Sequence, residues 1–227
     1  MIDAGFWRRY AAWSLDAALL ALPVVLLFWS RSQAIANDVA RGYETLIEAA
    51  GHDFVDALDS GTSPTALATQ WLGDPMLRSA LGAIQGSLFD LLWPPLLAFA
   101  VLGALYHVVF EASLRQATPG QQAFRLRVVD VAGQRVGALR ALSRHVAGAL
   151  SWLTLNLGHA LALVSPHKRA LHDMVAGTRM VQVSGGTALP AWGWAWLALQ
   201  VLALLWTTAA WASASAAAMQ AAFGSAP

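Results

Sequence analysis

A polar, basic block at residues 118–178 lies between long stretches of apolar residues. Across the chain, 57% of the 227 residues are hydrophobic and only 12% are charged. Because a soluble domain usually carries about 25% charged residues, this composition is typical of an integral membrane protein. The net charge is only +1, so the positions of the charges are more informative than their sum. The contrast predicts a polar cytoplasmic segment held at the membrane by apolar helices.

Three apolar stretches are long enough to cross a bilayer. They cover residues 10–30, 79–110 and 192–211, and the last has tryptophan at both ends. A hydrocarbon core of about 30 Å needs about 20 residues of helix, and each stretch supplies them. Pro94 and Pro95 predict a break in the second stretch, because proline removes a helical hydrogen bond. The sequence thus predicts an all-α polytopic membrane protein with three spanning helices.

A further apolar stretch, residues 138–165, allows two topologies. It is interrupted at residues 156–159 and is followed by Lys168 and Arg169. If the stretch crosses once, these two basic residues lie outside. If it enters and returns as a re-entrant helical hairpin, they stay in the cytoplasm. Half-helices of about 13 residues are about 20 Å long, too short to span, so the re-entrant hairpin is the preferred interpretation.

Charge placement also predicts the organisation and the orientation of the chain. Residues 1–183 form a membrane domain, and residues 184–227 add a C-terminal transmembrane helix and a tail. Within the membrane domain, segment 31–78 is an acidic helical insert and segment 111–144 is basic. Cytoplasmic loops are enriched in Lys and Arg. We therefore expect a multi-pass protein of the bacterial cytoplasmic (inner) membrane, with a cytoplasmic N-terminus and an external insert.

The basic block predicts a small β element. Thr118 and Pro119 are typical of a helix start, as N-cap and first-turn residue. Residues 124–130 and 134–137 flank a short turn and predict a cytoplasmic β-hairpin. Residues 180–183 can pair with 124–130, which would extend the hairpin to a three-stranded sheet.

Three separated blocks of residues carry a family signature. They read Gly5-Phe6-Trp7-Arg8-Arg9 followed by Asp16, then Thr118-Pro119-Gly120 followed by Leu126-Arg127-Val128-Val129-Asp130, and finally Ser165-Pro166-His167-Lys168-Arg169-Ala170-Leu171-His172-Asp173 followed by Ala176-Gly177-Thr178. Together they resemble the RDD family of bacterial integral membrane proteins, over roughly residues 4–183. The family is named for one arginine and two aspartates, which match Arg9, Asp16 and Asp173, with Arg8 as the competing arginine. The resemblance implies either sodium–proton antiport or a place in a membrane complex with partner proteins.

Asp16 is the first candidate site residue, because it is the one charge in the first apolar stretch. A charge at the bilayer centre costs about 2.5–3.5 kcal/mol on insertion scales, so a partner is expected. Asp16 lies two helical turns after Arg9, on nearly the same face. It is either a cation or proton site or, as the preferred interpretation, one half of a structural ion pair with Arg9, Lys168 or Arg169.

Two other aspartates are further candidates. Asp173, beside His172, is expected to fix its loop by accepting backbone hydrogen bonds from residues 176–178 or by pairing with an arginine of the basic segment. Asp90 either marks the far end of an ion path or, as the preferred interpretation, forms a hydrogen bond with Ser87 or faces the aqueous rim. The histidines lack the spacing of a metal site, so no metal is expected.

Several arginines of the basic segment are candidates for contact with anionic lipid headgroups, each contributing about 1 kcal/mol near the surface. They are Arg115, Arg125, Arg127, Arg140 and Arg144. Aromatic residues are not interleaved with them, which argues against nucleic-acid binding. The chain has no cysteine and no phosphate-loop, Gly-x-Ser-x-Gly or His-Glu-x-x-His motif. Neither a cofactor nor an enzymatic activity is expected.

Two functions from different classes remain open. The leading hypothesis is a non-enzymatic subunit or scaffold that binds partner proteins or copies of itself. The alternative is a monovalent cation–proton antiporter that exchanges Na⁺ for H⁺ through Asp16 and Arg9. Under both hypotheses, the bilayer and its anionic lipids are also partners.

Overall fold

A computed structural model of the chain describes residues 2–154, 157–186 and 188–224. Its elements are β1 Ile2–Asp3, α1 Phe6–Ser60, α2 Pro64–Gly73, α3 Pro75–Glu111, α4 Pro119–Ala123, β2 Leu126–Asp130, α5 Ala138–Leu153, α6 Leu157–Val164, α7 Leu171–Val175, β3 Thr178–Gln182 and α8 Ala191–Gly224. Among these described residues, three helices are long and apolar enough to cross a membrane: α1, α3 and the Ala191–Ala217 part of α8. The expectation of a mostly helical, multi-pass membrane protein is confirmed.

The chain divides into two compact units. The first, which we call the sheet unit, combines residues 1–17 with residues 104–227, so far as these are described. The second, the helical unit, covers residues 18–103.

The sheet unit contains a three-stranded antiparallel sheet with β3 in the centre, between β1 and β2. Strand β2 pairs with β3 from Leu126 opposite Gln182 to Asp130 opposite Thr178. This register confirms the expected pairing of residues 124–130 with 180–183. The second arm of the predicted hairpin reduces to one bridge, between Val129 and Arg135. The third strand is instead the N-terminal β1, which pairs with β3 on the side away from β2 and is too short to leave a periodic signal in the sequence.

One face of the sheet forms the core of its unit. Along β2, Leu126 and Val128 are buried on one face, whereas on the other face Arg127 is exposed and Val129 is buried. The buried side chains pack with residues from the start of α1 and from α8. The core consists of Ala4, Ala11, Ala12, Phe124, Leu126, Val128, Val136, Met180 and Leu197.

Helices of the helical unit are longer than the sequence predicts. The expected break at Pro94 and Pro95 is wrong, because α3 continues through both prolines. Each proline removes one donor, and membrane helices tolerate this when the freed carbonyls find other partners. At 55 residues, α1 is about 80 Å long, so a large part of it extends beyond a core of about 30 Å. Ser63 caps α2 by accepting from the backbone N–H of Ala66 at 3.2 Å.

The apolar stretch 138–165 forms two short helices that pack against each other. Helix α5 has 16 residues and α6 has eight, so they are about 24 Å and 12 Å long. The predicted interruption begins at Asn156, which lies outside the described residues. Neither helix alone is long enough to span the bilayer.

Candidate functional site

Arg9 of the first turn of α1 is anchored to the loop segments of the sheet unit. Its Nη1 atom donates to Asp173 Oδ2 at 2.5 Å, and its Nε atom donates to the Ala4 carbonyl oxygen at 3.1 Å. The expected pairing of Arg9 with Asp16 is therefore wrong. Because two helical turns separate these residues by about 10 Å along the axis, Arg9 reaches the start of α7 instead.

Asp173 is fully buried, and its carboxylate accepts hydrogen bonds from four donors. Besides Arg9, its Oδ1 atom accepts from Arg144 Nε at 3.0 Å, and its Oδ2 atom accepts from the Ala170 backbone N–H at 3.1 Å. The Thr178 hydroxyl lies 3.5 Å from Oδ1. Burial by itself would raise the pKa of Asp173, but the Arg144 and Arg9 guanidinium groups hold this pKa well below its usual range. An arginine of the basic segment thus holds the loop aspartate, as one of the two expectations proposed.

Arg144 extends this arrangement to Glu111 at the end of α3. Its Nη1 atom donates to Glu111 Oε1 at 2.6 Å, and the same oxygen accepts from Gln121 Nε2 at 2.8 Å. The side chain of Arg144 is only 7% exposed, so the expectation that it contacts lipid headgroups is wrong. Its two carboxylate neighbours raise the pKa of Arg144 above its ordinary value, against the effect of burial. Arg144 is an internal cation.

Two arginines and two carboxylates therefore form one neutral buried cluster, which we call the ion cluster: Arg9, Glu111, Arg144 and Asp173. A buried charge that loses its partner costs about 3–5 kcal/mol, so the four groups depend on one another. Glu111 was not predicted, although a carboxylate at the end of an apolar helix and an arginine within an apolar stretch are the signals that could have identified the pair.

His172 borders the ion cluster as a neutral side chain. Its Nε2 atom lies 3.3 Å from Arg144 Nη2, at a distance where the guanidinium donates to the ring nitrogen. Burial, reinforced by the positive charge of Arg144, lowers the pKa of His172 from 6.5 to about 3. Protonation of this ring would place a third cation beside two arginines.

Asp16 forms a separate site, which we call the aspartate lock. Its carboxylate accepts from the Tyr106 hydroxyl at 2.6 Å, from the Gly120 backbone N–H at 2.7 Å and from the Thr118 hydroxyl. Thr118 also caps α4, through a capping box with Gln121. The carboxylate is only 1% exposed. The donors are all neutral, so the expected ion pair of Asp16 with Arg9, Lys168 or Arg169 is replaced by hydrogen bonds.

Gly120 is the residue that permits this close contact. A Cβ atom at position 120 would lie 2.4 Å from the Ala12 carbonyl oxygen and 2.7 Å from the Asp16 carboxylate. Real Cβ atoms essentially never approach other atoms below 3.0 Å. Helix α4 therefore rests on α1 through backbone atoms, and Asp16 holds the contact.

The other predicted residues lie apart from these two sites. Arg8 donates to the carbonyl oxygens of Phe124 at 3.2 Å and Gly186 at 2.8 Å, which fixes the loop after β3. In the helical unit, Asp90 lies 3.8 Å from Arg31, and both side chains are more than half exposed. Lys168 lies in a turn with a positive φ of 48° and donates its backbone N–H to Ser165, and Arg169 follows it.

The exposed arginines fall into two groups. Arg140 pairs with Asp130 at 3.2 Å. Within the described part of the chain, no carboxylate lies within salt-bridge distance of Arg115, Arg125 or Arg127, which line one cavity. The predicted headgroup contacts thus divide into a neutralised arginine, a buried one and three that retain their charge.

Comparisons with known proteins match most of this chain. A model of the RDD family matches residues 3–177, a range that contains Arg9, Asp16 and Asp173. The uncharacterized protein YxaI of Bacillus subtilis (strain 168) is 26% identical over 179 residues, which is 78% of this chain and 96% of that protein. No solved structure matches.

Proposed function

The chain belongs to the RDD family, and from this premise we propose that it is a non-enzymatic subunit or scaffold of the bacterial cytoplasmic membrane. In this proposal, the sheet unit is the cytoplasmic anchor, the insert 31–78 lies outside, and a protein partner binds the insert. The observation that carries the proposal is an exposed apolar stripe on the acidic part of α1.

The sheet supports the topology. Its register joins β1 to β3 and β3 to β2 by backbone hydrogen bonds, so residues 2–3, 126–130 and 178–182 belong on the same side of the membrane. The chain between β2 and β3 contains α5 and α6, and in this proposal the segment begins and ends on that side. Their lengths of about 24 Å and 12 Å suit a re-entrant hairpin, since a crossing needs about 30 Å.

Cysteine accessibility tests this topology directly, because the native chain has no cysteine. We expect Gly133→Cys and Lys168→Cys to react with a membrane-impermeant thiol reagent only in inverted vesicles, which expose the cytoplasmic face. A cysteine in the insert, Thr62→Cys, should react only in intact cells from which the outer membrane has been removed. Labelling of positions 133 and 168 from opposite faces would contradict the hairpin.

The apolar stripe consists of Tyr43, Ile47, Phe54 and Leu58, which are 58%, 53%, 50% and 66% exposed. Steps of four and seven residues place these side chains on one helix face. The next face of α1 is occupied within the helical unit, where Ala57 is buried. An apolar stripe outside the bilayer is typical of a surface that docks against another helix.

The charge around the stripe indicates its occupant. Segment 31–78 carries seven acidic residues and three basic ones, so a second copy of the same surface would be repelled. Complementary charge favours the opposite partner, and we therefore propose a basic amphipathic helix of another membrane-associated protein.

Photo-crosslinking in native membranes tests the docking surface. A photoreactive amino acid at Phe54 or Leu58 should give an adduct of one defined mass, which weakens at high salt and disappears when Ile47→Ser is added. The matched control is position 56, where exposed Asp56 lies on the opposite face of α1. Equal adducts at positions 54 and 56, or an adduct with twice the mass of the chain, would contradict a basic partner.

One observation favours a second candidate, a monovalent cation–proton antiporter. Among the described residues, the buried Asp16 carboxylate has only neutral hydrogen-bond donors and no cation within salt-bridge distance. A proton or a sodium ion could balance its charge. Asp16→Asn should then abolish pH-gradient-driven sodium flux in vesicles, while Asp56→Asn, which removes an exposed carboxylate outside both sites, serves as the control. Equal flux in the Asp16 variant and the native protein would contradict antiport.

A further inference from the structure

A concave cavity of about 290 Å³ opens on the sheet unit and is lined by Arg115, Arg125 and Arg127, with Gln122 and Ser184 beside them. We propose that this arginine pocket binds a phosphate-bearing anion, in particular a phosphomonoester. The proposal is independent of the docking stripe, which lies in the helical unit.

Among the described residues, the three pocket arginines have no internal carboxylate partner, in contrast to Arg140 and Arg144. Arg144 forms ion pairs with Glu111 and Asp173, and Arg140 forms an ion pair with Asp130. In the part of the chain that the structure describes, no carboxylate approaches the pocket arginines to within salt-bridge distance. Three positive charges around one small cavity repel each other, and an anion in the cavity would remove this repulsion.

The pocket is built on a rigid part of the fold. Arg127 occupies an exposed position of β2, and Arg125, which comes just before the strand, lines the same cavity. The backbone of Arg125 has a φ of +58°, and it is held there because its carbonyl oxygen accepts from Val183 at 3.0 Å. Gly185 lies beside the Arg125 guanidinium, whose Nη1 atom is 3.5 Å from the place of a Cβ at that position.

Arginine chemistry indicates which anion suits the pocket. A guanidinium group offers a planar fork of donors that matches two oxygens of a phosphate. Three such groups favour a ligand with more than one negative charge, which a phosphomonoester has and a phosphodiester lacks. Gln122 donates its amide to the Ala117 carbonyl oxygen at 2.8 Å, so its side-chain oxygen remains able to accept from a hydroxyl on the ligand. Phosphomonoesters occur both in phosphatidic acid headgroups and in soluble metabolites.

Titration of the purified full chain in a neutral detergent tests the pocket and separates these sources. The probes are dioctanoyl phosphatidic acid, dioctanoyl phosphatidylcholine and inorganic phosphate, and native mass spectrometry counts the bound molecules. We expect saturable binding of one phosphatidic acid and none of phosphatidylcholine. Failure of inorganic phosphate to compete with phosphatidic acid assigns the site to a lipid. Binding of inorganic phosphate with the same affinity as phosphatidic acid assigns the site to a soluble ligand.

Charge-matched variants separate a site from diffuse attraction. Arg125→Gln and Arg127→Gln should each weaken binding roughly tenfold, because each removes a charge-assisted contact. Arg140→Gln removes the same charge from the same unit, outside the pocket, and should weaken binding less than about twofold. Equal losses in all three variants, or no binding of either phosphate probe to the native chain, would overturn the proposal. An unchanged Tm in each variant shows that folding is intact.

Discussion

The two units of this protein use their charged residues in opposite ways. In the sheet unit, four charges are buried and joined at distances from 2.5 Å to 3.0 Å. In the helical unit, the Arg31–Asp90 pair is separated by 3.8 Å, and the side chains of this pair are 56% and 58% exposed. Exposed ion pairs contribute about 0–1 kcal/mol, whereas the loss of one buried partner costs several kcal/mol.

This difference indicates a division of labour. The charges of the sheet unit join segments distant in sequence, since α1, α3, α5 and α7 each supply one member of the ion cluster. The charges of the helical unit surround exposed apolar side chains and leave them accessible. We therefore expect substitutions in the sheet unit to change stability and substitutions on the stripe of the helical unit to change association.

The largest expected effect comes from Asp173→Asn. This change removes a full charge facing both Arg9 and Arg144, and the buried cluster is left with an excess cation. The free energy of unfolding should fall by about 3–5 kcal/mol, measured by denaturant titration in detergent with tryptophan fluorescence. Asp90→Asn removes the same charge from the exposed pair and should change stability by less than about 1 kcal/mol. A comparable loss in both variants would remove the distinction between the units.

Gly120→Ala comes next and tests the aspartate lock through sterics alone. Its Cβ would meet the Ala12 carbonyl oxygen at 2.4 Å, and overpacking of this kind costs about 1–3 kcal/mol. Gly86→Ala is the matched control in the helical unit, because nothing lies within 4 Å of its Cβ position. This control should be neutral or stabilising by up to about 1 kcal/mol. Destabilisation by Gly86→Ala equal to that by Gly120→Ala would argue against a specific contact at Asp16.

Several residues of both sites could be identified from the sequence, but their contacts could not. Arg9, Asp16 and Asp173 stood out because they lie in apolar or family-matching segments, and the pairing of residues 124–130 with 180–183 followed from strand patterns. The Arg9–Asp16 pair was wrong because a shared helix face does not decide a contact when a loop brings another carboxylate closer. Glu111 was missed because its partners Gln121 and Arg144 come from two other segments, and such contacts leave no local pattern.

Acid should destabilise the sheet unit, and His172 contributes to this loss at mild pH. Its pKa falls from 6.5 to about 3 on folding, so the folded state resists protonation that the unfolded state accepts. The stabilisation is complete above about pH 6.5 and is lost as the pH falls towards 3, by at most about 1.4 kcal/mol for each pH unit. His172→Gln should flatten the dependence of the unfolding free energy on pH between these limits. An unchanged slope would show that another group titrates.

The smallest expected effect concerns the contact between α1 and α8. This contact is made by neutral groups, so its loss can be compared with the loss of a charged contact. Ser14 Oγ accepts from Trp196 Nε1 at 3.0 Å and from Gln200 Nε2 at 3.1 Å. Ser14→Ala leaves two donors without this acceptor inside an apolar region, and interhelical hydrogen bonds in membranes are worth about 0.6–2 kcal/mol. The control is Ser213→Ala on α8, since Ser213 bonds only the carbonyl oxygen of Ala210, within its own helix. Unfolding in detergent should detect a loss of stability for Ser14→Ala but not for Ser213→Ala. This loss should be smaller than that of Asp173→Asn. The reason is that neutral donors near the membrane boundary can turn to other acceptors, whereas a buried guanidinium group cannot lose its charge.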